Sequence, residues 1–124
     1  MGVLIVGSIA LDSVKTPFGE VEEVLGGAAT YAATAASLFT DVQLVGVVGE
    51  DFPQEHLEFL RGRGIDLKGV QVAAGKTFRW SGYYDFDLNV AHTRDTQLNV
   101  FEHFDPRLPE EYQDAEYVFL ANIN

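Results

Sequence analysis

Three short apolar runs separated by two helical stretches predict an α/β fold with a largely parallel sheet flanked by helices. The runs are Val3 to Ile9, Val42 to Val48 and Tyr117 to Ala121. Each is nearly continuous and rich in β-branched or aromatic residues, as strands covered on both faces require. Between the first two lies Ala28 to Phe39, and after the second lies Pro53 to Arg63, both with apolar residues at helical spacing. From Val70 onward the texture changes to a period of two, which predicts a small antiparallel sheet with unlike faces.

Taken in order, Val3-Leu4-Ile5-Val6-Gly7-Ser8-Ile9 reads as a buried strand, and Pro17, Gly19 and the acidic stretch Glu20 to Glu23 as an exposed excursion. The alanine-rich stretch Ala28 to Phe39 predicts a tightly packed helix, with Tyr31, Ala32, Ala35, Ala36, Leu38 and Phe39 at helical spacing. After the strand Val42 to Val48, Pro53 opens a helix anchored by Leu57, Phe59 and Leu60 and ended by Gly62 and Gly64. This strand, helix, strand, helix order argues for right-handed parallel connections. Phe78, Trp80, Gly82 and Tyr84 then alternate with Arg79, Ser81, Tyr83 and Asp85, with Gly75-Lys76 as a hairpin turn. A short run, Val100 to Phe104, and a short helix ending at Tyr112 lead to Tyr117 to Ala121. Nothing remains after that apolar strand to cover its faces, so the sequence is expected to be the first part of a longer polypeptide.

Composition narrows the function. The 124 residues, 47% hydrophobic and 22% charged, suit one globular domain. Eight Lys and Arg against 19 Asp and Glu leave a formal charge of −11, which repels a phosphate backbone and argues against nucleic acid as a partner. With no cysteine there is no disulfide or thiolate metal site, and the chain suits a reducing cytoplasm. Its apolar runs fall far short of the roughly 20 residues that span a bilayer, so no membrane association is expected.

The most informative feature is Gly26-Gly27 placed directly before Ala28-Ala29-Thr30-Tyr31-Ala32-Ala33. Two residues without Cβ let a ligand approach the backbone, and the helix that follows offers unpaired N–H groups at its first turn. Asp12, just past the first strand, adds a carboxylate able to accept hydrogen bonds from two hydroxyls, although a turn or cap role fits an isolated aspartate equally well. Ser8 is a further ligand candidate, and Asn122 and Asn124 follow the last strand end. Tyr31 reads either as an aromatic or hydroxyl contact to the ligand or as a core aromatic.

The pattern from Gly7-Ser8-Ile9-Ala10-Leu11-Asp12 through Gly26-Gly27 to Val48-Gly49-Glu50-Asp51 resembles the amino-terminal part of the ribokinase/PfkB family of sugar and nucleoside kinases. The resemblance implies a ribokinase-like fold in which residues 1–124 form the substrate-binding portion, with lid segments within about 10–25 and 70–104. It also implies ATP with Mg2+ as cofactors and a sugar or nucleoside as acceptor, bound by Asp12, Gly26, Gly27, Tyr31, Ser8 and Trp80. In such kinases a small sheet serves as lid and often as dimer interface, so Phe78, Trp80 and Tyr84 are expected to close over substrate and a homodimer to form through the lid. The family's catalytic base, an aspartate in a Gly-Ala-Gly-Asp-like turn, is absent, so the base is expected beyond residue 124. Many members place Asn where this chain has Tyr31, which leaves sugar and nucleoside both open.

Other motifs are weaker. Val70 to Thr77 imitates a phosphate-binding loop, but the glycine stands at Gly69, one place too early. Gly7 lacks the further glycines of a dinucleotide fingerprint, which argues against an oxidoreductase. His56, His92 and His103 have no metal-ligand spacing, and Glu50-Asp51 reads as a turn or a cap for the second helix. The competing class is a non-catalytic ligand-binding or dimerisation module on the same fold.

Overall fold

The computed structural model describes residues 2–122. Strands β1 (Gly2–Val6), β4 (Asp41–Gly49), β5 (Ile65–Ala73) and β8 (Tyr117–Leu120) form one sheet in the order β5-β4-β1-β8, with every neighbouring pair parallel. Strands β2 (Ala10–Thr16), β3 (Gly19–Gly26), β6 (Phe78–Tyr84) and β7 (Ala91–Gln97) form a second sheet in the order β3-β2-β6-β7. This sheet is mixed: β2–β3 and β6–β7 are antiparallel hairpins, whereas β2 and β6 run parallel where the hairpins meet. The period-two pattern signals two unlike faces but cannot distinguish these pairings.

Helices α1 (Ala28–Ala36) and α2 (Gln54–Gly62), the latter through Leu60, pack on the parallel sheet over Ile5, Val42, Leu44, Val48 and Ile65, in a core that also takes in Ile9 of the crossover and Leu11 of β2. Burying each Leu, Ile or Val side chain contributes roughly 1.5–3 kcal/mol. α1 meets this core through Ala29, Thr30 and Ala33. Tyr31, Leu38 and Phe39 are exposed, so the packed stripe is narrower than the sequence pattern predicts and the helix ends at Ala36. On the opposite face, buried Tyr112 packs against Leu4, Val6 and Val45; its hydroxyl donates to the Asp66 carboxylate and accepts the Gly69 N–H.

Several local expectations change for physical reasons. The run Val3 to Ile9 serves two sheets: β1 stops at Val6, and Gly7-Ser8-Ile9 crosses into β2 while the Gly7 N–H donates to the Val45 carbonyl. Val70 and Val72 lie in β5 of the parallel sheet, an edge strand whose exposed face mimics a period of two. Gly75-Lys76 is therefore the passage between sheets and not a hairpin. Val100 to Phe104 overlaps a 3₁₀ helix (Asn99–His103) whose buried Phe101 stacks on Phe78 at 5.1 Å. In β8, Tyr117 to Leu120 are between 51% and 71% exposed.

The two sheets are joined by a polar junction that the sequence did not reveal. α2 begins after Pro53 with no side-chain cap, and Asp51 instead accepts the N–H and hydroxyl of buried Thr77, both at 2.8 Å. The Thr77 hydroxyl in turn accepts the Gly49 N–H at 2.9 Å. Burial pushes the Asp51 carboxyl up, but the two Thr77 bonds and the Arg79 guanidinium outweigh it and hold the group below its ordinary value of 3.8. Its stabilising contribution is thus full above pH 3.8 and is lost as pH falls through the lower folded value. Thr77→Val, which leaves the Gly49 N–H and part of Asp51 unpaired, should cost about 1–3 kcal/mol at pH 7 in urea denaturation. It should also flatten the acid limb of the stability profile.

Candidate functional site

Asp12 is the third residue of β2, directly opposite Val24 in β3 and Trp80 in β6, so the three side chains share one face of the mixed sheet. The residue is 9% exposed. Its carboxylate lies over the Cα of Gly26, where any Cβ would overlap it. The Gly27 backbone N–H donates to it, and the Tyr31 hydroxyl stands 3.5 Å from Oδ2, a long and weak donor contact. Burial raises the Asp12 pKa, and these two hydrogen bonds only partly oppose the rise.

Gly27 is held by a different constraint. Its φ of +98° is unfavourable for a side-chain-bearing residue, and a Cβ would lie 2.8 Å from Ala10 N and Ile9 Cα. The end of β3 thereby sits against the crossover from β1 to β2. That approach brings Ser8 to the start of α1, where its Oγ accepts the Ala28 N–H at 2.9 Å and its carbonyl accepts the Ala29 N–H at 3.0 Å. Two of the first-turn amides expected to be open to a ligand, those of Ala28 and Ala29, are thus taken by Ser8, which caps the helix from the crossover between β1 and β2.

Tyr31 stands 60% exposed between the Asp12 carboxylate and a cavity of about 500 Å3 between α1 and α2. Leu25, Thr30, Thr34, Glu55, His56 and Phe59 complete the cavity lining, and Asp12 is not part of it. Burial raises the Tyr31 pKa first, followed by the negative charge of Asp12 and the proximity of Tyr84, so the phenol stays a donor. Trp80 faces the same side as Asp12, but its indole N–H donates to Thr93 in β7 at 3.1 Å. Phe78 stacks on Phe101 of the 3₁₀ segment.

The structure therefore brings Asp12, Gly26, Gly27 and Tyr31 together, sets Trp80 beside them on the sheet face, and gives Ser8 a capping role. The Asn122 carbonyl accepts the Ser8 N–H at 3.1 Å, and Asn124 lies outside the described residues. Glu23 and Arg79 were missed as partners across the second sheet, where they pair at 2.6 Å. The available signal was a lone arginine in an aromatic strand facing an acidic stretch. A carboxylate has about four acceptor positions, and Gly27 and Tyr31 occupy at most two, so Asp12 retains capacity for hydroxyl donors.

A four-stranded parallel sheet flanked by helices and joined to a mixed four-stranded sheet, with a buried aspartate over paired glycines, is a ribokinase-like α/β architecture. Residues 4–80 match the model of the pfkB family carbohydrate kinases, and the chain belongs to that family. A cytidine kinase from Thermococcus kodakarensis is 32% identical over 125 residues, covering 99% of this chain and 44% of its own length. Among solved structures, a ribokinase from Cryptococcus neoformans var. grubii in complex with ADP superposes with a TM-score of 0.78 at 17% identity, over 96% of this chain and 41% of its own. A nucleoside kinase from Methanocaldococcus jannaschii gives 0.74 at 20% identity, over 100% of this chain and 46% of its own. These likenesses establish the ribokinase-like fold, and the chain spans less than half the length of each of these proteins.

The raised pKa of Asp12 gives a test independent of any ligand. Between the unfolded value of 3.8 and the higher folded value, the folded chain holds more protons than the unfolded one. Stability therefore falls as pH rises through that window and stays lower above it. Asp12→Asn should raise the thermal midpoint at pH 7, and the gain should disappear below pH 3.8, as followed by calorimetry across pH.

Proposed function

We propose that the polypeptide carrying this chain transfers the γ-phosphoryl group of ATP to a hydroxyl of a sugar or nucleoside, and that these residues supply the acceptor side. Asp12 takes hydrogen bonds from acceptor hydroxyls, Gly26 and Gly27 give the backbone patch on which the acceptor rests, and Tyr31 and Trp80 wall it. The mixed sheet acts as the lid. The carrying observation is the Asp12 carboxylate, buried over side-chain-free Gly26 on the face shared with Trp80. A buried carboxylate with a raised pKa opposes folding in its charged form, and such placement is concentrated at functional sites.

A nucleoside acceptor is favoured over a simple sugar. Tyr31, Trp80 and Tyr84 cluster near Asp12, and aromatic faces suit a planar base. The relative named cytidine kinase points the same way. ATP and Mg2+ do not fit the described residues themselves. The α1 amides of Ala28 and Ala29 are consumed by Ser8, and the net charge of −11 opposes a triphosphate. The phosphoryl donor and the catalytic base are accordingly assigned to parts of the polypeptide other than residues 2–122, and a cytoplasmic setting suits a cysteine-free chain. Among the described residues no helix is long and apolar enough to cross a membrane.

We further infer a homodimer through the lid. Phe18 and Phe86 meet edge to face at 6.1 Å at the tip of the mixed sheet, yet remain 76% and 78% exposed, an apolar pair that a second copy would cover. Phe18→Ser with Phe86→Ser should yield monomers in sedimentation equilibrium.

Thermal-shift measurements on the polypeptide against sugars and nucleosides, with and without ATP and Mg2+, test the main reading. A bound acceptor at 100 times its Kd adds about 2.7 kcal/mol of apparent stability. Asp12→Ala should weaken that acceptor by about 1.5–3 kcal/mol, the worth of charged hydrogen bonds. Binding without phosphoryl transfer would favour the non-catalytic module, and stabilisation by nicotinamide cofactors alone would overturn the kinase reading.

A further inference from the structure

Arg79 lies on β6 directly opposite Leu11 of β2, so its side chain projects from the face of the mixed sheet away from Asp12 and Trp80. That face is the underside of the sheet, where Leu11 enters the common core. From there the guanidinium reaches two segments far apart in sequence. Its Nε donates to Glu23 Oε1 on β3 at 2.6 Å, and its Nη1 donates to Asp51 Oδ2 in the turn after β4 at 2.8 Å. Nη1 also donates to the Thr77 carbonyl at 3.1 Å. Arg79 thus crosses beneath β2 to hold β3 while being anchored to the parallel sheet through Asp51.

The two ends differ in environment. The Arg79 side chain is 22% exposed and Asp51 30%, whereas Glu23 is 54% exposed on a strand whose other acidic residues, Glu20 and Glu22, also face solvent. Glu23 itself has a positive φ of 49° and donates its N–H to Ser13 Oγ at 3.0 Å. It lies beside the irregularity where the β2–β3 register shifts between Asp12 and Val14. The strap therefore grips β3 next to the bulge that sets how Asp12 and Val24 face each other. An arginine suits this position because its planar fork offers donors in two directions, which a lysine lacks.

We propose that Arg79 is a positioning residue that, by bridging Glu23 to Asp51, sets the height of β3 and β2 over the parallel sheet and hence the placement of Asp12 for its acceptor. This inference rests on the kinase reading for its functional consequence only; the strap itself needs no ligand. It acts on the binding of acceptor and leaves the chemical step to other groups. The Glu23 end is open to salt and the Asp51 end is partly shielded, so high salt should loosen β3 before it loosens the junction.

The test compares wild type, Arg79→Gln, Arg79→Lys and Glu23→Gln in the polypeptide that carries this chain. Amide exchange of Glu20 to Leu25 in Arg79→Gln should quicken by about tenfold, with Leu4, Ile5, Leu44 and Val45 unchanged. KM for the acceptor should rise by about five- to tenfold with kcat within about twofold, the mark of lost uniform binding. Arg79→Lys should fall between, since it keeps a charge for Asp51 but loses the fork. With any tryptophan outside residues 1–124 replaced by phenylalanine, acrylamide quenching of Trp80, the single tryptophan within those residues, should increase in the same order. Unchanged β3 exchange overturns the proposal, as does exchange that rises equally in β1 and β4, which marks general destabilisation. If Arg79→Gln fails to fold, Glu23→Gln decides through the same β3 amides. A wild type that phosphorylates no sugar or nucleoside defeats the kinase reading, while the exchange measurements still establish or overturn the strap.

Discussion

A side chain at position 27 would collide with the backbone of Ile9 and Ala10, and the close approach allowed by its absence joins the two sheets. The chain leaves the parallel sheet at Gly7, forms the β2–β3 hairpin, and returns to α1 against its own point of departure. That return places Ser8 where it can cap α1 with both its hydroxyl and its carbonyl. It also brings Gly26 beneath Asp12 and the Gly27 N–H within reach of the carboxylate. Site and fold thus share one constraint, and a methyl group at either glycine would act on both.

This arrangement places a carboxylate where folding does not favour it. At Asp12 desolvation outweighs the donors supplied by Gly27 and Tyr31, whereas at Asp51 the donors from Thr77 and Arg79 outweigh desolvation. The two aspartates therefore contribute with opposite sign: Asp51 fastens the sheets together, and Asp12 is carried at a loss. A group that opposes stability in its charged state and retains unused acceptor capacity is poised to gain from a ligand that donates hydrogen bonds.

Much of the fold was legible because it depends on local pattern. β1, β4 and β8 are apolar runs in a parallel sheet, and the starts of α1 and α2 follow from Gly27 and Pro53. Long-range pairing was not legible. The unbroken run Val3 to Ile9 conceals the switch of sheets at Gly7, and Val70 and Val72 look like a new sheet because an edge strand alternates as a flap strand does. At the site, Asp12 and the glycine pair stand out as residue types with a purpose, but Ser8 as a remote cap and Arg79 as a bridge between Glu23 and Asp51 depend on contacts 20 or more positions apart. Tyr31 was ambiguous for a related reason: helical periodicity assigns it to an apolar stripe, while the actual contact face of α1 is built from alanines and Thr30.

The mixed sheet is best understood by its two faces. Even-numbered positions of β2 and β6 present Asp12 and Trp80 on one side, and odd-numbered positions present Leu11 and Arg79 on the other. Because residues on a strand alternate rigidly, a change in height imposed on the underside is transmitted to the upper face without any intervening chain of side-chain contacts. Leu11 fixes the sheet by core packing, which resists separation but is tolerant of sliding, whereas the Arg79 bonds to Glu23 and Asp51 are directional and resist sliding as well. In the proposed function, placement of an acceptor hydroxyl to within a fraction of an ångström demands the second kind of restraint, and strand alternation would deliver it to Asp12 from a residue on the opposite face of the sheet.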